Sequence, residues 1–267
     1  MRIDVITLFP QMIAGLLEWG IVGRAAKTGL LQLQTWNPRD YAHDAHRTVD
    51  DRPYGGGPGM VMMVQPLRDA IRAARAAAPG AVQVIYLSPQ GRRFDQARAR
   101  GLADGGARPV LVAGRYEGLD ERLLESEIDE ELSIGDYVLS GGELAAAVVI
   151  DAVTRLLPGA VGDEDSVRQD SFVAGLLEYP QYTRPREIDG RAVPEVLLRG
   201  NHREIEEWRF KQAVLRTRRK RPELLAGIDL DAQRRNWLEE LSAADGAGDR
   251  EVKTTNSGKT GTAGESS

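Results

Sequence analysis

The sequence contains no cysteine, which excludes disulfide bonds, thiolate metal sites and a cysteine nucleophile. A chain without cysteine fits a reducing compartment, and the cytoplasm is the expected location. No stretch is long and apolar enough to predict a membrane-spanning helix. Residues 1–10 (MRIDVITLFP) carry an acid within their apolar run and precede no small-residue cleavage site, so they predict a first strand rather than a signal peptide.

The common nucleotide-binding signatures are also missing. The glycine-rich stretch at 54–60 (YGGGPGM) matches neither GxGxxG nor GxxxxGK[ST]. The SGKTGT stretch near the C terminus has Lys253 where the leading glycine of a phosphate loop is required, and no strand precedes it. A nucleotide-dependent dehydrogenase would need the first signature, so this class of enzyme is disfavoured.

The charge of the chain is balanced overall but uneven along its length. A formal net charge of −5 argues against a protein that coats nucleic acid over its whole surface. Acids concentrate at 117–131 and 163–165, whereas residues 216–221 (RTRRKR) form a dense basic cluster. The alternative interpretation of this cluster is a solvent-exposed face of a helix. An RNA-contact surface is favoured because arginines lie near three aromatic residues that could stack on bases, Tyr179, Tyr182 and Trp208.

Apolar runs and helical patterns alternate through the first part of the chain, which predicts an α/β fold with a parallel sheet. Strands are predicted over 3–8, 31–35, 82–87 and 109–113, and helices over 12–19, 67–78, 94–102 and 144–157. Residues 88–91, in the stretch LSPQG, are predicted to form a turn. A further helix is predicted after Asn201, with one or two more over 224–241.

Three predicted strand ends carry glycine and polar residues, at 88–91, 114–118 and 134–142. Ligands of open α/β sheets bind beyond the carboxyl ends of the strands, so these ends are expected to form one pocket. In the last of them, Gly141 and Gly142 would let the main chain approach a ligand closely. The alternatives are an ordinary glycine turn for 134–142 and a solvated loop for 114–118.

Polar residues dominate the stretch 37–58, which we call the polar loop. A loop of this length inside a compact domain tends to be functional or mobile. His43 and His46 suggest a metal site, but no strong set of ligands lies near them in the sequence, and no metal site is predicted.

Six ordered motifs closely resemble those of the bacterial tRNA (guanine-N1-)-methyltransferases: LSPQG, GRYEGLDER, SIGDYVLSGGEL, RQDSF, LEYPQYTRP and GNHREIEEWR. The likeness runs from Met1 to about Leu241. These enzymes methylate guanosine 37 of tRNA, beside the anticodon. One departure is Ala145, where the family has proline, which removes some pre-organisation of a helix start but no chemical group.

The resemblance implies the SPOUT fold, in which an α/β domain with a parallel sheet ends in a deep trefoil knot that holds S-adenosylmethionine. It also implies a homodimer with the active site at the subunit interface. The expected organisation is a cofactor-binding domain (1–160), a flexible linker (161–175), a small, mostly helical tRNA-binding domain (176–243) and a disordered tail (244–267). A noncatalytic RNA-binding module is the other alternative, but it would not need a pocket built from three loops.

The resemblance also implies roles for individual residues. Asp170 would be the general base, reaching the pocket from the partner subunit, and Arg155 would stabilise negative charge on guanine O6. Glu117 would favour the positively charged sulfur or help an ion, while Asp50 and Gly59 would contact the guanines around position 37. Magnesium is a candidate second cofactor, although no oxygen cage for it is recognisable. The implied cofactor-binding residues are Tyr86, Leu87, Ser88, Pro89, Gly114, Tyr116, Ile134, Gly135, Asp136, Tyr137, Val138, Leu139, Gly141 and Gly142.

Overall fold

The structure, a computed structural model, describes residues 1–162, 170–173, 175–228, 231–238 and 240. The chain divides into two compact units, Met1–Val167 and Arg168–Ser267. Much of the predicted linker lies outside the described residues, as does the predicted tail at 244–267, so the expected domain organisation stays a prediction.

A five-stranded sheet in which all neighbouring strands are parallel forms the centre of the first unit. The α/β class and the parallel sheet are therefore confirmed. The strand order is β2-β1-β6-β5-β7, and a separate antiparallel pair is formed by β3 and β4. The bounds are β1 (Arg2–Ile6), β2 (Gln32–Trp36), β3 (Asp50–Asp51), β4 (Val61–Met62), β5 (Val82–Arg93), β6 (Arg108–Ala113) and β7 (Glu130–Ser133).

Helices cover both faces of this sheet, so its central strands are apolar on both sides. Ile85 and Leu87 of β5 belong to a core cluster on one face, while Val84 and Tyr86 belong to a second cluster on the other. Burying one such aliphatic side chain contributes about 1.5–3 kcal/mol. The helices are α1 (Pro10–Ala14), α2 (Gly20–Lys27), α3 (Val64–Ala76), α4 (Gln96–Asp104), α5 (Glu121–Glu127) and α6 (Glu143–Thr154).

Two predictions of local structure were wrong. The stretch 88–91 does not end its strand, because β5 continues to Arg93 after a break in register. Leu87 and Arg92 both pair with Leu132 of β7, so the residues between them bulge out of the ladder. The helix predicted over 12–19 is shorter, since α1 ends at Ala14 and a 3-10 turn follows before α2.

The second unit contains a short antiparallel hairpin and one long helix. The hairpin strands are β8 (Glu187–Ile188) and β9 (Arg191–Ala192), and the helix is α7 (His202–Lys220). The helix predicted after Asn201 is therefore confirmed. Phe210 of α7 packs against Trp237, which lies in a further helix over 232–238, with ring centroids 5.6 Å apart. None of the helices in the described part of the chain has the length and apolar character needed to cross a bilayer.

A fully buried carboxylate, that of Asp4, ties together three neighbouring strands of the sheet. Asp4 of β1 accepts a 2.8 Å hydrogen bond from Trp36 Nε1, and it pairs with Arg2 and Arg108. Arg108 also donates to the carbonyl oxygens of Ala74 and Arg75 in the last turn of α3. The cluster therefore fixes β1, β2, β6 and the end of α3 to one another.

Asn in place of Asp4 should destabilise the protein because it removes the charge that two largely buried arginines share. Breaking a buried ion pair in this way costs about 3–5 kcal/mol, and we expect Asp4→Asn to lower the free energy of unfolding in urea by about 3 kcal/mol. The matched control is Asp40→Asn, whose pair with Arg47 is exposed on both sides. Its expected cost is below about 1 kcal/mol. Equal losses in the two variants would contradict the role given to Asp4.

Candidate functional site

A cavity of about 240 Å³ lies at the bulge of β5 and beyond the carboxyl ends of β6 and β7. The three loops that the sequence analysis expected to converge form its walls. The predicted cofactor-binding residues that line it are Tyr86, Leu87, Ser88, Pro89, Gly114, Tyr116, Ile134, Gly135, Tyr137, Val138, Leu139, Gly141 and Gly142. Asp136 differs from the others because it is exposed and is not among the lining residues.

Several residues of the cavity wall were not named individually from the sequence. All of them lie within or beside the same three motifs, and four of them fall within the three strand ends that were expected to form one pocket. Arg115 shows best why such residues are hard to predict. Its long side chain contacts residues far away in the sequence, and the spacing of residues in a motif does not reveal these contacts. The residues not named individually are Gln90, Arg115, Gly118, Leu132, Ser133, Ser140 and Ala145.

The loop from β7 to α6 is held by its own hydrogen bonds. The amide of Gly135 donates to Ser133 Oγ at 3.2 Å, and the amide of Tyr137 donates to the carbonyl of Gly135 at 3.0 Å. The apolar side chains that follow remain exposed, with Val138 at 88%. An apolar surface at the mouth of a cavity is suited to a ligand that brings a flat apolar group.

Gly142 brings this loop back against the end of β6. Its amide donates a 2.8 Å hydrogen bond to the carbonyl of Gly114. A Cβ at Gly142 would lie 2.7 Å from Ala113 Cα, which is closer than real Cβ contacts allow. Glycine is therefore required by the close approach of two main chains, one of which forms the cavity wall.

A buried ion pair anchors the same loop to the rest of the sheet. Glu143, which is 1% exposed, accepts hydrogen bonds from Thr7 Oγ1 at 2.8 Å and from Arg115 Nε at 2.9 Å. Arg115 also donates to the carbonyl of Ser140 at 3.0 Å and lies over the Phe9 ring, 4.3 Å from its centroid. The cavity loop is thus fixed by one arginine that reaches across it.

Tyr86 gives the cavity a phenol that stays protonated. Burial, and secondarily the negative charge of Glu131, raises the pKa of Tyr86 to about 12. At neutral pH its hydroxyl can therefore donate a hydrogen bond. The ring also packs against Gly114, where an added Cβ would lie 2.6 Å from Tyr86 Cε2.

The polar loop and the chain just after it reach the rim of the cavity. The amide of Glu117 donates to the carbonyl of Met60 at 2.9 Å, and the side chain of Glu117 lies directly against Gly59. Asp50 interacts with the Tyr116 hydroxyl, and burial followed by this interaction raises the pKa of Tyr116. The two residues implied in tRNA contact therefore adjoin two residues of the cavity wall.

Two of the residues implied in catalysis are not among the cavity-lining residues. Arg155 is half-buried and follows α6 as its C-terminal cap, at the opposite end of that helix from Gly142. A helix of 12 residues spans about 18 Å, so Arg155 is remote from the cavity of its own chain. Asp170 belongs to the second unit. The acidic run at 163–165 lies outside the described residues.

The described residues contain no group of three or more histidine, aspartate or glutamate side chains that could hold a metal ion. His43 interacts with Gln65 through its ring Nε2, and the amide of His46 donates to Asp44. The acid among the cavity-lining residues is Glu117. It offers one carboxylate, which does not amount to a protein cage for an ion.

Comparison with known proteins points to one family. The family model described as tRNA (Guanine-1)-methyltransferase TrmD matches residues 1–227. A tRNA (guanine-N(1)-)-methyltransferase of Halorhodospira halophila is 62% identical over 242 residues, which cover 91% of this chain and 91% of the relative. Proteins of the same name from Aeromonas hydrophila and Escherichia coli O139:H28 are 59% and 58% identical over 240 and 241 residues. These alignments each cover 90% of this chain, and 96% and 94% of the two relatives.

Alanine at position 142 should weaken the fold at the cavity wall. The added methyl group would force β6 and the loop apart, and such overpacking costs about 1–3 kcal/mol. The matched control is Gly106→Ala, where a Cβ would meet nothing within 4 Å. We expect urea unfolding to show the loss for Gly142→Ala and a change below about 0.5 kcal/mol for the control. A Gly142→Ala protein as stable as wild type would contradict the close approach.

Proposed function

The chain belongs to the tRNA (guanine-1)-methyltransferase TrmD family, and on that premise we propose that it transfers a methyl group from S-adenosylmethionine to N1 of guanosine 37. It is a tRNA (guanine-N1-)-methyltransferase. The donor, the position in tRNA and the catalytic residues are the proposal. The observation that carries it is the cavity built by three of the motifs, with Asp50 and Gly59 at its rim.

The cavity residues fit S-adenosylmethionine. Apolar side chains at its mouth, such as Val138 and Leu139, can cover the adenine, and main-chain groups of the three loops can form hydrogen bonds with its polar edge. The neutral Tyr86 hydroxyl provides a further donor. When bound, this cofactor would supply a methyl group attached to a positively charged sulfur. As the methyl carbon is transferred, the sulfur keeps the electron pair of the bond that breaks and becomes neutral. Glu117 provides negative charge at the cavity wall that would attract the positively charged sulfur.

Guanine N1 carries a proton that must leave as the nitrogen forms its bond to the methyl carbon. A general base is therefore required, and Asp170 takes this role because the RQDSF motif supplies the carboxylate. Negative charge develops on O6 as the proton leaves. A guanidinium at that point lowers the barrier, and Arg155 takes this role.

The active site is completed by a second copy of the chain. In its own chain Arg155 lies about 18 Å along α6 from the cavity, which supports its entry from a partner. Leu144 and Val148 of the same helix are 53% and 46% exposed and are four residues apart, so they lie on one face. Two exposed apolar side chains on one face of a helix whose other face is buried favour a subunit interface, and the exposed Asp151 continues the same face.

Other parts of the proposal follow from family membership. The return of the 134–142 loop to Gly114, immediately before α6, supports the deep trefoil knot of the SPOUT fold. The basic cluster of α7 supports a tRNA-binding role for the second unit.

A tRNA-modifying enzyme would act in the cytoplasm. No catalytic step is assigned to magnesium, because Glu117 alone does not form a site for it.

The first test is transfer of labelled methyl from S-adenosylmethionine to unmodified tRNA transcripts that carry G37 or A37. We expect label on the G37 transcript alone. Asp170→Asn should lower the rate at least about a hundredfold, because a general base contributes that much or more. Binding of S-adenosylmethionine by calorimetry should be unchanged in this variant.

The matched control for this test is Asp104→Asn, which changes an exposed acid on α4 and should keep full activity. Equal label on both transcripts would mean a different target base. Full activity of Asp170→Asn would remove this residue as the base, and no label with the wild type would overturn the proposed reaction.

A second test concerns the contact between Gly59 and Glu117. Alanine at position 59 would displace the Glu117 side chain, whereas alanine at position 55 would meet nothing within 4 Å. The two glycines have nearly equal φ values, +85° and +83°, so both substitutions strain the backbone alike. We expect kcat/KM for tRNA to fall about tenfold further in Gly59→Ala than in Gly55→Ala. Equal losses of kcat/KM in the two variants would show that backbone strain alone causes them and that the contact between Gly59 and Glu117 has no role.

A further inference from the structure

The second unit has a pocket of its own that the catalytic proposal does not use. Its volume is about 430 Å³, and it lies between the chain at 179–186 and the first half of α7. Its apolar lining includes Val193, Leu197, Leu198 and Ile205. All of its lining residues belong to the second unit, so the pocket is complete within that unit.

Three aromatic side chains line this pocket, those of Tyr179, Tyr182 and Trp208. Tyr182 and Trp208 have ring centroids 6.2 Å apart and are tilted by 53°, so they form a corner rather than a stack. Tyr182 is 48% exposed, which is high for a large aromatic residue with a ring neighbour. An exposed ring at the edge of an apolar pocket can receive another flat ring.

The charge of the pocket is positive. Arg184, Arg186 and Arg209 line it, and no acid does so among the described residues, although Arg186 pairs at 3.1 Å with Glu195 outside the lining. Arg209 lies over the Tyr179 ring, 4.8 Å from its centroid. Its Nε is buried and has no hydrogen-bond partner within the described part of the chain.

The positive charge continues along α7. A neighbouring hollow shares Pro180 with the pocket and is lined by Arg216, Arg218 and Arg219 of the basic cluster. A flat ring in the pocket would therefore have phosphate-binding side chains beside it. Aromatic stacking next to cationic side chains is the usual combination for binding unpaired nucleotides.

We infer that this pocket binds one unpaired base of the tRNA, outside the nucleotide that is methylated, with the adjoining phosphates on the basic cluster. The inference rests on the proposed function only for the identity of the RNA. A protein side chain from a second copy would also fill an apolar pocket. The three arginines of the lining and the basic hollow beside it favour a nucleotide instead.

The test compares Tyr182→Ala, Tyr182→Phe and wild type for equilibrium binding of the unmodified G37 transcript. Stacking of a base on an aromatic ring accounts for about a tenfold change in affinity when the ring is removed. We expect that loss for Tyr182→Ala and less than a twofold change for Tyr182→Phe, which keeps the ring. The control is Ile188→Ala, which removes another exposed apolar side chain of the second unit from outside the pocket.

A second measurement identifies the base. A series of transcripts, each with one abasic nucleotide at an unpaired position, is titrated against wild type and Tyr182→Ala. At one position or a few neighbouring ones, we expect the abasic change to weaken binding to wild type but not to the variant. Equal weakening of both proteins at every position would overturn the inference, because the ring would then have no base as its partner.

The outcome for the pocket can be separated from the outcome for the proposed function. Binding is measured without methyl transfer, so failure of the wild type to methylate G37 would count against the proposed function alone. If Tyr182→Ala bound tRNA as tightly as the wild type, the inferred role of the pocket would be overturned and the proposed function would not be affected. A shift of oligomeric state in Tyr182→Ala with unchanged tRNA affinity would assign the pocket to contact between copies and would also overturn the inference.

Discussion

The buried carboxylate of Glu143 is the interaction on which the geometry of the cavity depends. It begins α6, yet its partners are Thr7 after β1 and Arg115 after β6. The charge is acceptable in the interior because Arg115 compensates it and its oxygens accept hydrogen bonds. Through Arg115 the same network reaches the carbonyl of Ser140. One pair of charges therefore fixes three parts of the first unit to one another: the chain after β1, the chain after β6 and the start of α6.

Fixing the loop in this way explains why its apolar side chains can remain exposed. Val138 and Leu139 would tend to collapse onto the protein if their backbone were free to move, since burial of apolar surface is favourable. The loop is instead held between Arg115 on one side and the hydrogen bond from Gly142 to Gly114 on the other. The cavity wall is thus formed before any ligand arrives, which lowers the ordering cost of binding.

Local patterns predicted most of the sheet and the convergence of its loops, but not contacts between distant parts of the chain. The strand at 82–87 is recognisable because its residues are apolar without interruption. Its continuation at Arg92 is polar and forms only because β7 pairs with it again. Likewise, Arg115 lies beside predicted residues in the sequence. Its pairing with Glu143 could not be predicted, because only the folded chain brings the two side chains together. The family motifs contain most of the cavity wall, whereas Asp136 shows that a place in a motif does not ensure a place in the wall.

The position of Arg155 bears on why such an enzyme would need two copies of its chain. A residue that stabilises charge on the substrate must contact it, and a straight helix of 12 residues keeps Arg155 about 18 Å from the cavity. Bending α6 would break a helix whose inner face is fully buried. Supplying the arginine from a second copy needs no such change, and the exposed Leu144 and Val148 offer that copy an apolar surface on the same helix. In the proposed enzyme, one helix would then both form the interface and carry the arginine across it.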